Sequence, residues 1–62
     1  MQFHIETMTC GGCARGVTKT IHKIDPSADV QIDIDKKDVS VTTTAPRDQI
    51  AAALTDAGFA PA

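Results

Sequence analysis

Two cysteines three positions apart, Cys10 and Cys13, are the residues of this chain best suited to chemistry. They stand in the run Met8-Thr9-Cys10-Gly11-Gly12-Cys13. Thiolate is the form of cysteine that binds metals, and a helix N-terminus favours it by offering free N–H groups and a partial positive charge. A disulfide within the pair would close almost no loop and add little stability. Structural zinc wants four ligands and an iron–sulfur cluster about four cysteines, so one such pair supplies half of either set. Soft thiolates select soft ions. Cu(I) accepts two sulfurs in near-linear geometry, and Ag(I) and Hg(II) fit the same pair, so copper leads only on availability. Arg15 and the helix end would offset the negative charge of two thiolates around one Cu(I).

The elements that must hold this pair are written in the hydrophobic pattern. Residues 2–6 alternate with period two and predict a half-buried strand with Phe3 and Ile5 inward. Residues 7–12 predict a loop that the paired glycines keep slim, leaving room for a partner's thiol. A helix is expected from Cys13 to Ile24, with Val17, Ile21 and Ile24 as its apolar stripe and Arg15, Lys19, His22 and Lys23 opposite. Asp25-Pro26-Ser27 ends it, because proline disfavours helix in the residue before it. Residues 29–34 and the positions Val39, Val41 and Thr43 alternate around the polar turn Asp35-Lys36-Lys37-Asp38, which predicts a hairpin. A second helix is expected from about Pro46 to Ala57, with proline in its first turn and Ile50, Ala53, Leu54 and Ala57 as its stripe. Gly58 is its stop signal, and Phe59–Ala62 is read as a last short strand at a sheet edge, where Pro61 is tolerated. The order predicts an α+β chain of ferredoxin-like βαββαβ type, with two helices on one face of a four-stranded antiparallel sheet.

With 62 residues the chain has room for a single domain, 1–62, whose core alone is marginally stabilising. The net charge is −2, with Lys and Arg dispersed among Asp, and Phe3 and Phe59 are the only aromatics. Both facts argue against nucleic-acid binding. No signal-peptide pattern opens the sequence, and the apolar run Ile50–Leu54 is far too short for a bilayer, so no membrane insertion is expected. A cytoplasmic protein is the expectation.

The hexapeptide together with the βαββαβ pattern resembles the heavy-metal-associated domain family, and within it the bacterial copper chaperones. The resemblance spans essentially the whole chain and includes Ala57-Gly58-Phe59. It implies Cys10 and Cys13 as the metal ligands and Cu(I) as the cargo. It also implies, as partner, the metal-binding domain of a heavy-metal P-type ATPase, and a chain that is monomeric without metal, with a copper-bridged dimer as one metal-bound form. Zn(II) or mercury is carried by other members. Zinc-exporting relatives often have Asp before the first cysteine, and Thr9 departs from them. Thr7 stands where the family often has Gly, and Phe59 where relatives often have Tyr, His or Lys. Phe shields a site but donates neither a ligand nor a hydrogen bond.

Each feature also has a plainer reading. A redox pair is the alternative for the cysteines, but thioredoxin-like folds need a longer chain and no proton shuttle is in place. Met8 is either a third soft ligand or, the reading preferred here, packing beneath the loop. His4 and His22 point away from the cysteines and read as surface residues. Arg15, Lys19 and Lys23 form either a solvated face or a stripe that docks on an acidic partner. Phe59 reads as core or lid packing. The starting methionine and the lack of a linker favour a free-standing metallochaperone over a domain excised from a transporter, and either over a thiol oxidoreductase enzyme.

Overall fold

In the computed structural model, which describes residues 1–9 and 11–62, the alternating segments form three strands: β1 (Gln2–His4), β2 (Asp29–Asp33) and β3 (Asp38–Thr42). Helix α1 (Gly11–Ile24) follows β1, and helix α2 (Arg47–Asp56) follows β3. The sheet is antiparallel in the order β1-β3-β2. Phe3 faces Val39 across one ladder and Ile32 faces Val39 across the other. Since strand side chains alternate between faces, this register puts Phe3, Val39 and Val41 on the side that is buried. Val17 and Ile21 of α1 and Ile50 and Leu54 of α2 complete the same core, all fully buried. Gln2, Gln31 and Ser40 lie on the opposite, polar face.

The expected fourth strand is absent among the described residues. Residues 59–62 carry no strand pairing beyond one bond, from the Ala62 N–H to the His4 carbonyl at 2.7 Å. That bond lies on the β1 edge facing away from β3, where a fourth strand would add. Pro61 has no N–H to give such a ladder. The neighbouring edge carbonyl, Gln2, takes its hydrogen bond from Arg47 Nη1 at 2.7 Å. The Arg47 guanidinium also lies 4.3 Å from the centre of the Phe3 ring, so one side chain covers both the strand edge and the core aromatic.

Boundaries shift for identifiable reasons. Helix α1 begins at Gly11, two residues before its expected start at Cys13. The first N–H groups of a helix have no intrahelical partner, so glycine costs less there than in the interior. Pro46 is the N-cap in extended conformation (φ −63, ψ 143) rather than a residue of the first turn. Its carbonyl still accepts from the Gln49 and Ile50 N–H groups. Thr43 leaves β3 and donates to the Asp25 carboxylate at 2.6 Å, joining the end of α1 to the end of the hairpin. Asp25 also accepts from the N–H and hydroxyl of Ser27. These donors, Thr43 first, hold its pKa below the ordinary 3.8.

Candidate metal centre

The chain reaches the cysteine motif through a tight turn. The Met8 N–H donates to the Ile5 carbonyl at 3.1 Å, and the Ile5 N–H donates to the Lys37 carbonyl at 2.9 Å. Ile5 and Met8 are both 0% exposed, so they anchor the start of the loop in the core. This is the packing role for Met8. Glu6, Thr7 and Thr9 are exposed around it. Cys10, one of the two expected ligands, lies outside the described residues.

Cys13 is the third residue of α1, half-buried and packed against the core cluster. It therefore stands in the first turn, where N–H groups point out of the helix and the dipole favours negative charge. No acidic residue occupies that turn to oppose a thiolate. Gly11 and Gly12 are exposed residues of the helix opening rather than of a preceding loop, and a Cβ on Gly11 would meet nothing within 4 Å. Arg15, two residues on, is exposed.

The other soft or nitrogen ligands are otherwise engaged. His4 contacts Asp38 through Nδ1 at 2.8 Å and Glu6 through Nε2. These two hydrogen bonds, Asp38 first, raise its pKa above the ordinary 6.5. His22 is half-buried, rather than on the surface, and its Nε2 is bonded to the Ala28 carbonyl at 2.9 Å. Among the described residues no group of three or more His, Cys, Asp or Glu is placed to hold a metal ion.

The turn after α2 was only partly expected. Helix α2 closes with the Gly58 N–H on the Thr55 carbonyl (3.1 Å) and the Phe59 N–H on the Leu54 carbonyl (2.8 Å), a Schellman pattern around Gly58 at φ 92. The Gly58 carbonyl takes a long 3.4 Å hydrogen bond from Thr7 Oγ1, linking this turn to the entry of the metal loop. The Phe59 ring lies against Gly16 of α1. Reading the sequence alone assigned Gly16 no role. Its one signal was the cost of a glycine inside a helical pattern, about 1 kcal/mol against alanine.

Comparison with known proteins agrees with this arrangement. The family model described as "Heavy-metal-associated domain" matches residues 2–60. A curated relative, the "Copper transport protein ATOX1 homolog" of Dictyostelium discoideum, is 48% identical over 33 residues, 53% of this chain and 49% of that protein. The matched stretch thus spans about half the length of that relative. The solved structure described as a "Gold binding protein" is 54% identical, with a TM-score of 0.96, covering 98% of this chain and 94% of its own. The copper chaperone Atx1 from Synechocystis PCC6803, solved in a trimeric form, is 32% identical with a TM-score of 0.97, covering 100% and 98%.

Proposed function

Because the chain belongs to the heavy-metal-associated domain family, we propose that it carries one soft metal ion, Cu(I) first, on Cys10 and Cys13 and passes it to another protein. The supporting observation is Cys13, half-buried in the first turn of α1, the helix end that favours a thiolate. The chain acts as a carrier and not as an enzyme, within one ferredoxin-like domain over 1–62 whose tail takes the place of the fourth strand. The receiving protein is the metal-binding domain of a heavy-metal P-type ATPase, and the exchange takes place in the cytoplasm. No helix among the described residues is long and apolar enough to cross a membrane. The carrier is monomeric without metal, and facing cysteine pairs let a copper ion bridge two copies.

Transfer is associative. A partner thiolate bonds to the bound ion, one of the two carrier sulfur–metal bonds then breaks, and the ion keeps its oxidation state throughout. Cys10 leaves first because the sequence sets it before the paired glycines, whereas Cys13 is held by α1 against the core. Cys10→Ser and Cys13→Ser variants mixed with a partner domain test this. Trapped mixed complexes should accumulate with the variant that keeps Cys13. Equal behaviour of the two variants contradicts the order of release, and full metal retention by either contradicts the ligand assignment.

A second cargo has a specific observation behind it, the 54% identity to a gold binding protein. Au(I) is also soft and takes two sulfurs, so the same pair would serve it. Direct competition between Cu(I) and Au(I) for the reduced protein separates the two cargoes.

A further inference from the structure

We propose that the outer edge of β2 docks an extended, basic peptide segment of another protein, which joins the sheet as an added antiparallel strand. Metal binding plays no part in this contact.

The ladder decides which backbone groups face outward. Met1 and Val41 exchange both N–H···O bonds, at 2.8 and 2.7 Å, and the Ile5 N–H donates to the Lys37 carbonyl. Odd-numbered residues of β3 therefore bond β1, and the even-numbered ones, Asp38, Ser40 and Thr42, bond β2. Their partners in β2 are Asp33, Gln31 and Asp29. That leaves the N–H and C=O groups of Val30 and Ile32 pointing away from the sheet. The edge is closed at either end of this pair. The Ala28 carbonyl is bonded to His22 Nε2 at 2.9 Å, and the Ile34 carbonyl takes the Lys37 N–H at 3.2 Å. The opposite edge of the sheet, on β1, is covered by Arg47 and Ala62. Among the described residues, no hydrogen bond from another element reaches Val30 or Ile32. Such an edge is a template for a further strand.

Side chains decide which strand fits. On the core side Val30 and Ile32 are half-buried and Ile34 is 36% exposed, whereas Phe3, Val39 and Val41 are at most 2% exposed. Apolar residues of an added strand would complete that cover. On the outer face Asp29 and Asp33 are exposed, with Asp38 across from Asp33. Among the described residues of the three strands, His4 is the one base on that face, and it already contacts Asp38 and Glu6. Lysine or arginine opposite Asp29 and Asp33 would make favourable cross-strand pairs. A second copy of this chain does not fit. Antiparallel pairing of β2 with itself about Gln31 sets Asp29 of each copy against Asp33 of the other, and like charges directly opposite are destabilising. The occupant is therefore a segment with basic residues spaced as Asp29 and Asp33 are, and apolar residues opposite Val30 and Ile32. Main-chain bonds would hold it and alternate side chains would select it.

The probe is the end-blocked peptide Thr-Lys-Val-Thr-Val-Lys-Thr, titrated into the isotope-labelled, reduced full chain and followed by NMR. The amide signals of Val30 and Ile32 should shift furthest, and their hydrogen exchange should slow. Glutamate in place of both peptide lysines should weaken binding by about tenfold, because two cross-strand pairs turn from attractive to repulsive. N-methylation of both peptide valines removes the N–H groups aimed at the Val30 and Ile32 carbonyls and should abolish binding. These peptide changes leave the protein untouched, so folding cannot account for a difference. In the protein, Asp29→Asn with Asp33→Asn should remove most of the preference for lysine over glutamate. Absent binding of the lysine peptide, or largest shifts along α1, would overturn the site. Equal binding of the N-methylated peptide would overturn the added strand, and equal binding of the glutamate peptide would overturn the charge rule. Shifts at Val30 and Ile32 that grow with protein concentration alone would make a second copy the occupant and overturn the assignment.

Discussion

Met8 lies directly before the metal loop with no exposed surface, among Ile5, Val17 and the other residues of the core. Its burial predicts that Met8→Ala lowers stability by about 2–5 kcal/mol, the cost of emptying a core site, and Met8→Leu by less than about 1.5 kcal/mol. Urea unfolding measures both, and Met8→Leu should keep the metal stoichiometry of the parent. Lost binding in that variant would make the thioether a ligand. His4 carries a pH dependence of its own. Asp38 and Glu6 raise its pKa above 6.5, and His4 in turn holds Glu6 below the ordinary 4.5. In the unfolded chain both groups return to ordinary values. The His4 contribution to stability is therefore complete below pH 6.5 and is lost as pH rises through the folded value; that of Glu6 is present above 4.5 and is lost as pH falls through its own. NMR titration of the His4 ring should give a midpoint above 6.5, and His4→Gln should remove this fall in stability on the alkaline side. A midpoint at or below 6.5 would contradict the bridge.

The turn after α2 shows how an element end shapes the site. Gly58 takes the left-handed conformation at φ 92 that lets the Phe59 N–H reach the Leu54 carbonyl. Gly58→Ala should cost about 1–2 kcal/mol in thermal or urea unfolding, the penalty of that conformation for an L-residue. No loss would mean the turn relaxes freely. Most elements were legible because their periodicities differ: alternation at Val30, Ile32, Val39 and Val41, helical spacing at Val17 and Ile21 and at Ile50 and Leu54. The start of α1 was misread because two glycines suggest a loop, yet at a helix opening their N–H groups need no partner within the helix. The last strand was misread because four residues with a proline offer too few donors for a ladder. Gly16 was passed over because its reason, the ring of Phe59, lies 43 positions away in sequence and only the fold brings it near.

At the scale of the whole molecule, charge is unevenly placed despite a net value of −2. Arg15, Lys19 and Lys23 are exposed along α1, starting at its metal end, while Asp29, Asp33 and Asp35 are exposed on the hairpin. If the stripe steers the carrier onto an acidic partner, Lys19→Glu with Lys23→Glu should slow metal transfer at low salt and lessen its salt dependence. Unchanged transfer rates would remove the stripe from the docking surface. The pairing of cysteine motif and fold was legible in the hexapeptide and the element order together, whereas cargo and partner depend on chemistry outside the chain. The central claim is soft-metal carriage by Cys10 and Cys13, and the most direct measurement is a competition titration of the reduced protein with Cu(I) and Zn(II). Mass spectrometry would count the ions, and X-ray absorption at the metal edge would identify their ligands. The account predicts one Cu(I) held by two or three sulfurs with Zn(II) excluded. Preferred Zn(II), bound with added nitrogen or oxygen ligands, would contradict it.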